Sequence, residues 1–301
     1  MKKDWFYYLL LVIAASLWGS SFIFTKRLLL NASPITIIFS RVLIASIVFL
    51  CICLVFFREK MKIEKKDIPI IIAFSCFEPF LYFIFETYSL TYCDASVVSV
   101  IVATIPIGTA FLSLLYFKEN FSHINLLGVF ITFLGVFTML FPSFTNASVS
   151  VKGILLAFGA VTASMGYTFF VRKFPEHYHP VVVITYQNLI GLLLFTPLML
   201  ILYDKQIVVN ELSALFFTSN IYYVSALAIL CSAFAFMFYL QGIRRFGIGK
   251  SSIFTNFIPI VTAILSFIIL GESFPHYKIL GIIIVIVGIF LVQQKKKPDR
   301  Q

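Results

Sequence analysis

Three ionisable side chains stand inside otherwise apolar stretches of this chain: Arg41, Glu78 and Glu86. A charge at membrane depth costs at least ~2.5–3.5 kcal/mol on insertion scales, so each asks for a partner or a task. Glu78, Tyr82 and Glu86 are spaced i, i+4, i+8 and share one helix face. Pro79 follows Glu78 directly and removes one backbone donor from that helix. Such a group suits the binding of protons or of a ligand's ammonium rather than bond breaking. A nucleophile–base pair or a metal cluster is missing from the pattern. The cysteines form no C-x-x-C spacing, and His123, His177, His179 and His276 fall in loops. No P-loop signature is present, which excludes a primary pump within this chain.

Composition says what holds these residues. Of 301 residues, 60% are apolar, 12% are charged and 36 are phenylalanine. Ordinary globular chains carry about 25% charged residues. An all-α membrane protein is therefore expected. The net charge of +10 does not argue for nucleic acid, because the basic residues sit in short clusters between apolar runs, as membrane loops use them. Cutting the chain at charge clusters and at Pro, Gly and Asn gives ten spans, roughly 5–26, 34–57, 68–91, 95–117, 124–141, 153–171, 180–202, 219–241, 248–270 and 277–293. With ten spans, 17 Lys and Arg residues fall on the side of the termini and 5 on the other, Arg41 completing the 23. That bias places both termini in the cytoplasm. Two sequons, at Asn31 and Asn146, fall on the outer side. Residues 203–218 form the longest connection, and Leu212 to Phe217 are expected along the interface.

The chain also repeats itself. Residues 105–137 match 258–290 without a gap at a shift of 153: Ile105-Pro106-Ile107 falls on Ile258-Pro259-Ile260, Glu119 on Glu272, His123 on His276, Gly128 on Gly281 and Gly135 on Gly288. Earlier the shift is 146, with Pro34 on Pro180 and Gln187 at the place of Arg41. The two copies, 1–145 and 146–301, hold five spans each. An odd number inverts the second copy relative to the first, which is the architecture of secondary transporters with a site near the midplane.

The segment Trp18-Gly19-Ser20-Ser21-Phe22, Pro34 followed by Arg41, Pro106, and the twice-occurring E-x-F-x-x-x-x-x-L-G block resemble the EamA-type members of the drug/metabolite transporter superfamily. The resemblance covers essentially the whole chain. It implies a ten-helix carrier of an inner or plasma membrane, often an exporter of amino acids or related metabolites. It also implies a central cavity lined by helices one, three, four, six, eight and nine.

Within this frame the expected substrate site comprises Trp18, Ser21, Glu78, Tyr82, Tyr167, Tyr239 and Asn256, with Ser20, Thr104 and Thr255 as further polar lining. Glu78 is the expected proton-coupling residue, the alternative being a neutral structural acid between helices. Arg41 and Glu86 lie at matching depths, about 10 and 8 Å below the outer surface at 1.5 Å per residue. They are expected to form an ion pair, either structural or acting as a gate. Pro106 and Pro259 are expected to kink their helices. No metal or cofactor is called for; the expected partners are a small-molecule substrate and the lipid bilayer, and a monomer suffices. The competing classes are an integral membrane enzyme and a non-transporting scaffold. Saturable, counterflow-capable flux in liposomes would separate the carrier from both.

Overall fold

The computed structural model describes residues 2–108, 112, 116, 123–140, 150–175, 177–246 and 251–292. Among them every regular element is helical. Six helices are long and apolar enough to cross a membrane: α1 (Lys2–Leu28), α2 (Pro34–Phe56), α3 (Ile68–Tyr92), α6 (Val151–Val171), α7 (Pro180–Leu202) and α8 (Asn220–Phe246). Four shorter apolar helices are α4 (Ala95–Gly108), α5 (His123–Leu140), α9 (Phe254–Leu270) and α10 (His276–Val292). Parts of the fourth, fifth, ninth and tenth expected spans lie outside the described residues, as do Glu119 and Asn146.

Local chemistry sets the boundaries. Pro34 and Pro180 open α2 and α7 at the first turn, where a missing N–H costs nothing. Gly271, at φ 67°, ends α9 in the left-handed conformation that favours glycine. A connecting helix, Lys205–Phe216, follows α7, and its Glu211 carboxylate reaches back to the start of α2. It accepts from the Ser33 N–H at 3.0 Å, the Ser33 hydroxyl at 2.7 Å and the Thr36 hydroxyl. Donors left open at a helix N-terminus are thus met by an acid from far along the chain.

The packing respects the sequence repeat. The two most extensive pairings are α5 with α10 and α2 with α7, each joining an element to its repeat counterpart. Likewise α1 packs on α8 and α9, while α6 packs on α3 and α4. Close approaches recur with sizes exchanged. A Cβ on Gly19 would lie 2.9 Å from Val261 Cβ, and one on Gly108 would lie 2.6 Å from Met165 Sδ. Met165 is the repeat counterpart of Gly19, and Val261 that of Gly108. Gly135 against Val285 and Gly288 against Thr132 bring α5 and α10 together in the same reciprocal way.

Two helices are interrupted where the site lies. In α3 a π-type segment runs over Cys76–Leu81, with Glu78 in an extended conformation (φ −142°, ψ 120°) and a cis peptide bond to Pro79. In α8 a π-type segment spans Ala226–Phe234, although no proline is present there. At the shift of 153 Glu78 and Pro79 fall on Cys231 and Ser232, so the two interruptions are repeat counterparts. π-type turns inside helices are frequent at functional sites. Helix α4 leaves regular geometry at Ala103–Thr104, just before Pro106, and a 3-10 turn at Ser252–Asn256 leads into α9, just before Pro259.

Candidate functional site

The interrupted part of α3 faces α7 and α8 across a cleft of about 360 Å³, part of it open to the surroundings. Its polar lining is Glu78, Gln187, Asn188 and Ser232, and its apolar walls include Phe83 and Phe236. Arg41, on α2, is buried at 7% exposure and reaches this cleft through a neighbour: its Nε donates to Ser232 Oγ at 3.1 Å. Ser232 Oγ in turn donates to the Leu227 carbonyl at 3.0 Å. The guanidinium carbon sits 4.1 Å from the centroid of the Phe83 ring.

The expected Arg41–Glu86 ion pair is not formed among the described residues. Phe83 occupies the space under the guanidinium, and Ser232 takes its Nε. Glu86 is 4% exposed, its Oε2 has no hydrogen-bond partner, and Tyr82 Oη stands 3.5 Å from its Oε1. Arg41, Glu78, Tyr82 and Glu86 nevertheless remain within electrostatic reach of one another. Matching depth therefore brought the charges near each other but did not join them.

Gln187, the repeat counterpart of Arg41, does an equivalent job with an amide. Its Nε2 donates to the carbonyl of Glu78 at 2.8 Å. Each of these two positions thus reaches from α2 or α7 to the interrupted segment of the opposite half: Arg41 to Ser232, Gln187 to Glu78. Asn188 Nδ2 is held by the Ile184 carbonyl at 2.9 Å. Gln187, Asn188, Ser232 and Phe236 were not among the residues expected at the site. Placing Ser232 at the repeat position of Pro79 was the available signal.

The other expected residues divide. Trp18 packs edge-on against Phe236 and Tyr239, with centroids 5.1 and 5.0 Å apart, and so adjoins one wall of the cleft. Tyr167 meets Phe74 edge-on at 5.9 Å. Ser20, Ser21 and Thr104 return their hydroxyls to carbonyls of their own helices, at Ser16, Trp18 and Ile101. That is the packing role small hydroxyls serve within membrane helices. Asn256 is buried at 7% exposure in the first turn of α9, and neither it nor Ser21 lines the cleft.

A second polar cluster closes one end of the bundle. Lys278 is 5% exposed and binds Asp94 at 2.9 Å and Glu272 at 3.5 Å. Glu272 accepts from the N–H of Ala95 at 2.7 Å and from both the N–H and the hydroxyl of Ser96, covering the start of α4. Lys26 donates to the carbonyls of Leu90 and Cys93, and Arg27 Nη2 to that of Ile269 at 2.8 Å. Five helices are tied together there.

The model of the EamA-like transporter family matches twice, over residues 5–141 and 151–293. The chain belongs to the EamA-like transporter family. An uncharacterized transporter of Archaeoglobus fulgidus is 26% identical, over 98% of this chain and 100% of that protein. The uncharacterized transporter YetK of Bacillus subtilis is 27% identical, over 99% of this chain and 90% of its own length. A crystal structure with a TM-score of 0.65 covers 95% of this chain and 96% of that one at 13% identity, which speaks to the fold alone. As an EamA-family member with this run of apolar helices, the chain is an integral membrane protein of the transporter class.

Proposed function

We propose that the chain is a secondary transporter of ten membrane-crossing helices, α1 to α10, arranged as two inverted five-helix repeats over residues 1–145 and 146–301. Both termini face the cytoplasm. It exports a small polar metabolite, an amino acid or related compound, across the cytoplasmic membrane by alternating access, with Glu78 carrying the coupling proton. The observation that carries this reading is the cleft itself. An acidic residue on an interrupted helix faces it, and reciprocal side chains from the two halves, Arg41 and Gln187, brace the two interruptions. Transporter sites are commonly built on broken helices at a repeat interface. The doubled family match and the exchanged Gly19–Val261 and Gly108–Met165 contacts support the repeat.

Two measurements test it. Purified protein in liposomes should give saturable flux with counterflow; flux that neither saturates nor exchanges would remove the carrier reading. In a cysteine-free background, a cysteine at exposed Lys205 should react with an impermeant maleimide applied to intact cells, and one at exposed Lys62 only in inverted vesicles. The opposite pattern would overturn the orientation.

A further inference from the structure

We propose that the cleft beside Glu78 selects a compound with an ammonium group and no carboxylate, an amine rather than the corresponding amino acid. This deepens the carrier reading above and rests on it. The inference comes from a donor and acceptor inventory of the cleft. Among its polar residues the Ser232 hydroxyl and one N–H of each amide are already engaged. Gln187 Nε2 is bound to the Glu78 carbonyl, which can only accept and so fixes the orientation of that amide. Asn188 Nδ2 is fixed in the same way by the Ile184 carbonyl. The Ser232 hydroxyl donates to Leu227 and accepts from Arg41.

What remains for a ligand is the Glu78 carboxylate, the amide oxygens Asn188 Oδ1 and Gln187 Oε1, and one neutral N–H on each of those two amides, so the one ionisable group in the lining is an acid. An ammonium, with three N–H donors and a positive charge, matches that acid and the amide oxygens. A carboxylate would meet at most two neutral N–H donors and would stand against the Glu78 charge. Arg41 does not relieve this. It is absent from the lining, its Nε is held by Ser232, and the Phe83 ring lies beneath it. Phe236 offers an apolar wall for the body of the ligand.

The test compares tyramine, tyrosine and tyrosol, which share a phenol ring and differ in ammonium, ammonium plus carboxylate, or hydroxyl. The readouts are thermal stabilisation of the purified full chain, which reports binding by linkage, and counterflow in liposomes. Tyramine should stabilise the protein and exchange at concentrations at least about tenfold below those needed for tyrosine or tyrosol, since charge-assisted hydrogen bonds exceed neutral ones. Asn188→Leu should weaken tyramine about tenfold while leaving the melting temperature of the empty protein near wild type. If Asn188→Leu lowers that temperature, Asn188→Asp, which keeps an acceptor oxygen at the place of Oδ1, should preserve tyramine binding. Repeating the series with isoamylamine and leucine removes dependence on the ring. Exchange of an amino acid equal to or better than that of its amine would overturn the assignment and leave the carrier standing. Absence of saturable flux for every compound would overturn both.

Discussion

Glu78→Gln should abolish the response of transport to an imposed pH gradient while exchange of substrate continues at reduced affinity. Glu78 lies on the interrupted segment of α3 and lines the cleft, and its backbone carbonyl is braced by Gln187. A carboxylate in such a place holds either a proton or the positive end of a ligand. That competition is enough to couple two flows when the cleft opens alternately to each side, because each ligand then biases the same equilibrium. Glutamine keeps the shape and one acceptor oxygen but cannot titrate. The loss of a charge-assisted hydrogen bond, about 1.5–3 kcal/mol, corresponds to at least about a tenfold fall in affinity. In proteoliposomes the ratio of flux with and without the gradient should fall to one for the variant. A variant that follows the gradient as fully as the wild type would show that the proton travels elsewhere and that Glu78 is a structural acid.

Much of the framework behind this prediction can be read from the chain directly. Apolar runs, the clustering of Lys and Arg, and the match of 105–137 with 258–290 point to helices and to a duplication. The Glu78-Pro79 pair marks the interruption of α3. Its counterpart in α8 has no such mark, because the segment Ala226–Phe234 contains only small and apolar residues that would read as ordinary helix. Ser232 and Asn188 are equally quiet as residue types; their importance comes from what lies opposite them. Depth along a helix could be estimated for Arg41 and Glu86, but not the direction around it. That missing coordinate is why Phe83 and Ser232, rather than Glu86, receive the guanidinium. Glu272 was visible as the twin of Glu119, yet its use at the start of α4 depends on how α4 and the segment after α9 meet in space.

That use of Glu272 leads to the second large effect: Lys278→Asn should unlock the end of the bundle that faces outside in the proposed orientation. Lys278 is buried and pairs with Asp94 and Glu272, and Glu272 also holds the N-terminal donors of α4. Its repeat counterpart is Asn125, so the substitution makes this end resemble the other. Removing Lys278 leaves the buried Glu272 carboxylate without this cation, at a cost of up to ~3–5 kcal/mol, while Asp94 is 39% exposed and already meets water. Opening this end would relieve that cost by letting water reach Glu272. Cys93 is the native reporter, since it is buried beside the cluster and its carbonyl accepts from Lys26. Burial pushes its thiol up to about 11, so that little of the reactive thiolate exists at neutral pH. Exposure would return it towards the ordinary value of about 8.5 and raise maleimide reactivity by at least about tenfold. With the other four cysteines replaced, Lys278→Asn should therefore label at Cys93 from outside intact cells much faster than the parent. Labelling at the parent's rate, in a variant that still elutes as a single species, would show that this cluster is not what keeps the outer end closed.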